Sequence, residues 1–443
     1  MNYIAYTIGP IYETILNSLY DKNNKTKRLQ AGSRYFSHFM KEVLKNIHNE
    51  FEVFVPYVNE TVLGKEYNMG LFHDRFIAQS DKSIEEIKEI FASKLEESFL
   101  TMAKEIEGSH IARDLYKNMD NHVIVASAEE LKKIDKNIVF ALNKILDAKE
   151  LQKEFSLDVE KNYIKLYQDK HVNSKSVKTI EEISEKIGFK YYAVITADGD
   201  KMGTKIKNEA TDNVEDIKEL SKKLFEFFTD DEDIYTITNE HFGGELIYAG
   251  GDDILAFLPV KYEDKTFLDY IEVLNKRFKE KVGEDVSLSF GVNIAYYKYP
   301  LRDAIESAFS LLHQAKDNAQ NSLALKITKH SGQYFKTIFD LSSKKYDLYK
   351  KLIDNILRQE TKLPHSLHHS LKRYEKAIVK VYEDERTVDA MFETLFNDAT
   401  DEHKKGLDEV KKFFNESKPK MEQEFNAIFS ALSIIKFLRE DRK

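Results

Sequence analysis

Apolar and polar positions near the start of the chain follow the repeats of strands and amphipathic helices. The predicted elements are strands at 3–10, 51–56 and 70–78, a long helix that a polar segment interrupts at 21–34, and an amphipathic helix at 83–106. Ser83 precedes Glu86 by three residues, which is the spacing of a helix capping box. Strand, helix, two strands and helix make up most of a ferredoxin-like unit.

A second mixed pattern begins at residue 190 and is clearer than the first. It predicts strands at 190–197, 245–249, 254–258, 286–297 and 323–327, and helices at 214–228, 266–281 and 301–316. The order of these elements is again ferredoxin-like, so the chain is predicted to hold two halves of related architecture.

The remaining segments have a mainly helical pattern. Residues 107–189 read as an inserted helical domain, and the pattern after Gly332 is helical to the end, without a strand signal. We therefore predict an α+β protein with four domains: a first ferredoxin-like domain at 1–106, the helical insert at 107–189, a second ferredoxin-like domain at 190–335 and a C-terminal helical bundle at 336–443.

One stretch of the second half carries the clearest chemical signal. Two strand-forming runs flank Gly250, Gly251, Asp252 and Asp253, which predicts a β-hairpin with adjacent carboxylates at its tip. The glycines supply unusual φ values and allow a phosphate to approach the backbone closely. Paired carboxylates are hard oxygen ligands that suit Mg²⁺ or Mn²⁺. Taken alone, the motif is better interpreted as a surface hairpin with a Gly-Asp turn.

A second acidic segment strengthens the catalytic interpretation. The buried-looking strand at 190–197 runs directly into Asp198, Gly199 and Asp200. A strand that ends in a carboxylate, beside a hairpin tipped with carboxylates, is the arrangement by which palm-type nucleotidyl transferases assemble a two-metal site. Two roles stay open for Asp200, since its carboxylate can serve the site or cap the following turn.

Composition limits the classes of function. The net charge is −9 and no cysteine is present among the 443 residues. This chain is therefore not a generally basic nucleic-acid binder, and disulfides, thiolate zinc sites and cysteine nucleophiles are excluded. No signal peptide or long apolar run is found, so we expect a cytoplasmic protein with no membrane partner. One basic cluster either contacts a nucleotide or RNA backbone or is a solvated face; it consists of Lys22, Lys25, Lys27, Arg28 and Arg34.

These motifs, in their order, resemble the large polymerase–cyclase subunit of type III CRISPR effector complexes, in its Cmr-type form. The matching segments are 198–203, 250–253, 289–301, 315–316 and 329–332 in the second half, and 7–10, 27–33, 74–76 and 431–439 elsewhere. The resemblance runs nearly from end to end and is weakest over the helical insert. It implies that the two ferredoxin-like domains are palm domains.

The resemblance also implies a set of site residues. Asp198, Asp252 and Asp253 would hold two cations, Mg²⁺ or Mn²⁺, on the triphosphate of ATP, so that a ribose hydroxyl attacks the α-phosphate and pyrophosphate leaves. Further nucleotide contacts are implied for Gly250, Gly251, Gly199, Asp200 and Lys316, and for Gly32 and Ser33 in a loop of the first palm domain. Gln320 stands where GGDEF-type cyclases carry an arginine.

The expected function follows from the same resemblance. It is a target-RNA-activated cyclase that converts ATP into cyclic oligoadenylate, or into AMP joined to S-adenosylmethionine, with other effector subunits, guide RNA and target RNA as partners. No HD nuclease activity is expected, because the chain starts at the first palm domain and His73-Asp74 reads as a structural surface pair. Two alternatives stay open: a catalytically silent scaffold of the same complex, and a free-standing GGDEF-type cyclase.

Overall fold

A computed structural model of the chain describes residues 1–9, 16, 19, 25–106, 120–150, 164, 167–172, 177–184, 190–209, 213–230, 232–330, 332–358, 363–364, 367–381, 385–397, 399–417 and 422–440. The chain divides into two compact units. Unit one comprises Met1–Thr179, Lys201–Ala256 and Asn275–Ser287, and unit two comprises Ile180–Asp200, Phe257–Leu274 and Leu288–Lys443. The predicted α+β class is confirmed, while the four domain limits stay predictions.

The strands, in chain order, are β1 (Asn2–Gly9), β2 (Glu52–Val55), β3 (Arg75–Ser80), β4 (Asp120–Ser127), β5 (Tyr191–Asp200), β6 (Glu245–Gly250), β7 (Asp253–Pro259), β8 (Lys261–Tyr262), β9 (Lys265–Thr266), β10 (Ser287–Tyr296), β11 (Ser322–Thr328) and β12 (Tyr334–Asp340). The helices are α1 (Lys25–Ile47), α2 (Glu60–Gly64), α3 (Ile84–Ile106), α4 (Ala128–Lys132), α5 (Ile138–Glu150), α6 (Ile180–Ser184), α7 (Met202–Glu209), α8 (Val214–Thr229), α9 (Ile234–Thr236), α10 (Phe267–Val282), α11 (Leu301–Asn318), α12 (Lys344–Arg358), α13 (Leu367–Val381), α14 (Glu385–Leu395), α15 (Asp401–Ser417) and α16 (Glu422–Glu440).

Unit one contains a four-stranded antiparallel sheet in the order β2-β3-β1-β4. Together with α1 and α3 these strands give the complete βαββαβ order of a ferredoxin-like fold. Alternate residues of β1 face opposite sides: Tyr3 and Ala5 belong to a core that includes α5, and the ring of Tyr6 lies 5.3 Å from that of Phe91 in α3. The capping box of α3 is confirmed, since the Glu86 backbone N–H donates to Ser83 Oγ at 3.2 Å.

The fourth strand of this sheet corrects the prediction that residues 107–189 are mainly helical. β4 pairs with β1 along its whole length, from Asn2 opposite Ser127 to Gly9 opposite Asp120. Without it β1 would leave an unpaired edge of backbone N–H and C=O groups. α4 and α5 agree with the helical prediction, while much of the insert, such as 107–119 and 151–163, lies outside the described residues.

Within unit two the strands follow the order β12-β11-β10-β5. α11 packs on β5 at very short range. A Cβ added at Gly291 of β10 would lie 2.2 Å from the Ala308 carbonyl oxygen of α11. Thr196 Oγ1 of β5 donates to the same oxygen at 3.1 Å. These contacts fix the height of α11 above the end of β5.

The last strand, β12, corrects the prediction that no strand follows Gly332. It pairs antiparallel with β11, and Phe335, Thr337 and Phe339 are buried in alternation with exposed neighbours. The strand also crosses residue 335, where the sequence analysis ends the second palm domain. The helical prediction holds for α12 to α16, which pack within unit two; the Tyr349 and Ser430 hydroxyls, for example, are 3.0 Å apart.

Candidate active site

The Gly-Gly-Asp-Asp segment forms the tip of the β6–β7 hairpin, as the sequence predicts. β6 ends at Gly250, β7 begins at Asp253, and Gly251 and Asp252 form the turn. Gly251 has a φ of +67°, in the left-handed region that side chains other than hydrogen disfavour. Asp253 is exposed and Asp252 is partly exposed, so solvent reaches the acidic end of the hairpin.

The turn rests on a segment that leads into β3. A Cβ added at Gly250 would lie 3.2 Å from both the Leu71 carbonyl oxygen and the Tyr248 hydroxyl, and one added at Gly251 would lie 3.8 Å from His73 Cδ2. Packing within unit one therefore requires a small residue at position 250. The close approach of a phosphate to these glycines stays a prediction.

The groups beneath the turn are electrostatically coupled to it. Desolvation lowers the pKa of His73 to about 4, and the charge of Arg75 acts in the same direction. Desolvation raises the pKa of Asp74 to about 6. The pKa of Tyr248 is raised well above its ordinary value, first by desolvation and then by the carboxylates, that of Asp253 foremost. His73 and Tyr248 are thus neutral near pH 7 and do not offset the negative charge of the tip.

His73 and Asp74, which the sequence predicts to be a structural surface pair, are only partly exposed in the structure. Both residues are partly buried, and His73 lies against the turn at Gly251. Sequence reasoning missed His73 as a neighbour of the carboxylate tip. The one available signal was its position just before β3, and nothing local in the sequence relates that position to residue 251.

A second acidic group lies at the end of β5 in unit two. The ammonium group of Lys316, in the last turn of α11, forms an ion pair with the carboxylate of Asp198. Lys316 Nζ also donates to the Gly199 carbonyl oxygen at 3.1 Å. The structure thus brings together three predicted site residues. A metal ion would have to compete with Lys316 for the carboxylate of Asp198.

Asp200, the last residue of β5, is a buried anchor. Its carboxylate accepts hydrogen bonds from Ser289 Oγ at 2.8 Å and from the Asn321 backbone N–H at 2.7 Å. It is 4% exposed. These contacts tie the end of β5 to β10 and to the turn between α11 and β11. They give Asp200 a structural role in unit two, and direct service to the site stays a prediction.

Gly32 and Ser33 do not lie in a loop, as the sequence analysis expects, but inside α1. Residues 25–34 are helical, so the predicted interruption of the helix is wrong over that range, and 21–24 lie outside the described residues. Both residues are buried, because α1 passes close to Gly70, where an added Cβ would lie 2.3 Å from Ser33 Oγ. A nucleotide would reach them only if α1 or the facing segment moved, and their nucleotide-binding role stays a prediction.

An apolar cavity opens beside the turn in unit one. Its volume is about 220 Å³, and its lining includes Leu220, Leu224 and Phe228 of α8 together with His73 and Gly251. Concave apolar sites with a few polar groups are typical of small-molecule binding sites. The cavity lies directly next to the acidic hairpin.

The oxygen donors at these positions have the chemistry that Mg²⁺ or Mn²⁺ prefers. Across the described residues, however, no three His, Asp or Glu side chains are grouped closely enough to hold a metal ion. The convergence of Asp198 with Asp252 and Asp253 on shared cations therefore stays a prediction.

Comparison with known proteins identifies the second mixed region. A family model described as "Cas10/Cmr2, second palm domain" matches residues 191–324, which include both β5 and the acidic hairpin. The CRISPR system Cmr subunit Cmr2 of Pyrococcus furiosus is 33% identical over 210 residues. By these two matches the chain resembles Cas10/Cmr2 proteins. The alignment covers 39% of this chain and 23% of that relative, so the chain matches much less than two thirds of the relative's length.

Solved Cas10-type structures share the fold along nearly the whole chain. A Csm1–Csm4 cassette in complex with AMPPNP matches with a TM-score of 0.52 and 14% identity, over 98% of this chain and 69% of that one. A type III-B Cmr-beta structure in the apo state matches with a TM-score of 0.57 and 11% identity, over 98% and 81%. At these identities the likeness concerns the fold alone. Among the described helices, none has the length and apolarity that crossing a membrane requires.

Proposed function

We propose that the chain is the nucleotidyl cyclase subunit of a type III CRISPR effector complex. Once guide and target RNA are bound, it converts ATP into a signalling nucleotide, either cyclic oligoadenylate or AMP joined to S-adenosylmethionine. The observation that carries the proposal is the acidic hairpin with Asp252 and Asp253 inside the segment that matches the second palm domain. A relative of the same fold has been solved with the ATP analogue AMPPNP, which supports ATP as the substrate.

In this proposal Asp198, Asp252 and Asp253 hold two cations, Mg²⁺ or Mn²⁺. Cations held there would supply charge neutralisation for the triphosphate and would lower the pKa of the attacking ribose hydroxyl. The carboxylates suit this role because Asp252 and Asp253 stand at an accessible tip and Asp198 lies near the end of β5.

In this proposal Lys316 contacts two anionic groups in succession. In the unbound protein it neutralises Asp198 and is held by the Gly199 carbonyl oxygen. With cations on the carboxylates, the Lys316 ammonium group would be free to contact the triphosphate, where a flexible point charge suits phosphate binding. The ion pair therefore holds the Lys316 ammonium group beside the end of β5 in the unbound protein.

The cavity beside Gly251 accommodates the nucleobase. Its apolar lining from α8 suits the faces of a purine ring, and the neutral imidazole of His73 offers one donor and one acceptor at its rim. The glycine turn then lies between base and phosphates, where a side chain would obstruct the ribose.

The test is product formation by the assembled complex. Guide RNA, target RNA, partner subunits and the chain are combined with ATP and Mg²⁺ or Mn²⁺, with and without S-adenosylmethionine, and products are weighed by mass spectrometry. The variant Asp252→Ala with Asp253→Ala should lose product and keep complex assembly. Asp264→Ala removes an equally exposed carboxylate from the β8–β9 turn and should retain full activity.

A silent scaffold is the second candidate, and the Asp198–Lys316 ion pair favours it, because a carboxylate already neutralised by lysine is a poorer metal ligand. Under that reading the complex assembles with both RNAs and forms no product with any metal. A free-standing GGDEF-type cyclase would instead form product from the purified chain alone.

A further inference from the structure

The basic residues whose role the sequence left open do not share one environment in the structure. Lys22 lies outside the described residues, and Arg28 is 8% exposed, with its Nε donating to Gln168 Oε1 at 3.3 Å. Arg28 is thus part of the interior rather than of a binding face. Arg34, in contrast, lines a second cavity in unit one, whose lining shares no residue with that of the cavity beside Gly251.

This second cavity, here called the Arg34 cavity, has a volume of about 230 Å³. Its polar and aromatic lining residues include Arg34, His38, Lys41, Tyr67, Tyr167 and His171. Two of these residues carry a permanent positive charge, and α1 contributes both.

The guanidinium group of Arg34 is held by neutral groups. It donates to the Asn68 carbonyl oxygen at 2.5 Å and to the Tyr235 hydroxyl, and its Nε is buried without a partner within the described part of the chain. No carboxylate of the described residues forms an ion pair with it, although Glu245 attracts it at longer range. Desolvation lowers its pKa. A desolvated guanidinium with a spare donor, facing a cavity, is typical of a site for an oxyanion.

Lys41 supplies a second cation with a replaceable partner. Its side chain is 6% exposed, and its Nζ donates to the Lys65 carbonyl oxygen at 2.8 Å and to Glu66 Oε1 at 3.0 Å. Glu66, in contrast, is 91% exposed. A carboxylate on so exposed a side chain contributes little to stability and leaves its cation readily. An incoming anion can therefore take the place of the Glu66 carboxylate on Lys41.

Aromatic rings add a surface on which a base can stack. Tyr167 stacks on His171 with ring centroids 4.6 Å apart and planes inclined by 19°, and its hydroxyl lies 3.3 Å from His38 Nδ1. Tyr67 is partly exposed at the same cavity. Cations combined with aromatic faces are the usual composition of sites for nucleotides and single-stranded nucleic acids.

Two carboxylates near the cavity face His38 rather than its two cations. The carboxylates of Glu42 and Glu105 lie 3.9 and 3.5 Å from His38 Nε2, and neither forms an ion pair with Arg34 or Lys41 among the described contacts. The anion is thus directed to the Arg34 and Lys41 side of the cavity.

We propose that the Arg34 cavity binds a phosphate group of a ribonucleotide, with Arg34 and Lys41 as its charged ligands and Glu66 as a built-in competitor. The ribonucleotide is either free or part of a single-stranded RNA, since both present the same phosphate chemistry. This site does not depend on the acidic hairpin or on metal ions.

The test measures the Kd of the full-length chain for two probes, ATP and a short fluorescein-labelled oligoadenylate, at fixed low ionic strength in EDTA. EDTA removes any metal-dependent binding at the acidic hairpin. Arg34→Gln and Lys41→Met should each weaken binding by about tenfold or more, because each removes charge-assisted hydrogen bonds. Glu66→Gln should tighten binding severalfold. Since Glu66 is exposed, this last variant keeps its fold even if Arg34→Gln does not.

Lys45→Met is the matched control, because it removes a lysine from the same helix that pairs with Glu42 and does not line the cavity. Its Kd should stay within about twofold of the unaltered chain, in line with loss of one surface charge. Variant effects seen with ATP alone identify a free nucleotide as the ligand, and effects seen with the oligonucleotide identify RNA. The proposal is overturned if the unaltered chain binds neither probe, or if Glu66→Gln and Lys41→Met bind like Lys45→Met.

Discussion

Lys316, in the last turn of α11, pairs with Asp198 near the end of β5 and also donates to the Gly199 carbonyl oxygen. Both side chains are predicted from the sequence to belong to a nucleotide site, but the sequence predicts no contact between them. Their pairing means that the same lysine can serve either a carboxylate or a phosphate, and this competition can be measured.

Removing this lysine should have opposite effects on metal and on nucleotide. In Lys316→Met we expect tighter Mn²⁺ binding, because Asp198 loses its competing cation, and a KM for ATP raised by about tenfold, because a phosphate contact is lost. Electron paramagnetic resonance of Mn²⁺ and initial rates of product formation measure the two effects. Lys276→Met, which removes a 78% exposed lysine, should change neither. Unchanged Mn²⁺ affinity in Lys316→Met would contradict the proposed exchange.

Substitutions of Asp200 and Asp198 should affect different properties, namely the stability of the fold and the binding of metal ions. Asp200→Ala leaves Ser289 and the Asn321 N–H without their acceptor, so we expect a loss of about 2–3 kcal/mol in the free energy of unfolding with Mn²⁺ affinity retained. Asp198→Ala should show the reverse, with weaker Mn²⁺ binding and little change in stability. Chemical denaturation and Mn²⁺ titration of both variants test this pair. Loss of Mn²⁺ binding in a folded Asp200→Ala protein would make Asp200 a ligand.

The hairpin turn should tolerate no added methyl group at its first glycine. Gly250→Ala places a Cβ 3.2 Å from the Leu71 carbonyl oxygen and the Tyr248 hydroxyl, and we expect a loss of about 1–3 kcal/mol in the free energy of unfolding. In Gly203→Ala the added Cβ meets only the Phe140 ring, at 3.7 Å, and lies in a helix. This control should be neutral or slightly stabilising. Equal stability of the two variants in urea would show that the turn is free to adjust.

His73 and Asp74 should give opposite dependences of stability on pH. The pKa of His73 is lowered to about 4 in the folded state. Its contribution to the free energy of unfolding is therefore complete above about pH 6.5 and is lost as the pH falls towards 4. The pKa of Asp74 is raised to about 6, so folding is favoured as the pH falls through 6 towards 3.8. Together the two contributions nearly cancel.

Single variants should uncover each contribution. Asp74→Asn leaves the His73 contribution alone, and the free energy of unfolding should fall by about 1–2 kcal/mol between pH 6.5 and 4.5, relative to the unaltered chain. His73→Asn should show an increase over the same interval. Urea midpoints at several pH values measure both. Parallel pH profiles for the two variants would refute the opposed shifts.

The sequence predicts most elements of the second mixed region because their signals are local. The strand runs around the glycine turn and the amphipathic patterns of α8 and α11 are each complete within a few residues of the chain. β4 and β12 were missed for different reasons. β4 contains one short β-branched run, Val123, Ile124 and Val125, next to segments with a helical pattern, and its partner β1 lies more than 100 residues away. β12 does alternate, at Phe335, Thr337 and Phe339, so its signal was present and was overlooked.

The site shows the same division between local and distant information. The carboxylates and glycines are recognisable from their own neighbours in sequence, whereas three relationships depend on tertiary packing. These are the pairing of Lys316 with Asp198, the position of His73 against Gly251, and the burial of Ser33 by the approach of Gly70. Local patterns do not encode which distant segments meet.

Gly291 has no side chain, yet it sets the position of Lys316. The backbone of α11 comes so near to β10 at this point that even a methyl substituent would collide with the Ala308 carbonyl oxygen. Any larger residue would tilt the helix outwards and carry its terminal ammonium away from the strand beneath. The position of the Lys316 ammonium group thus depends on the missing side chain at Gly291. A substitution there would move this cation without changing any charged residue.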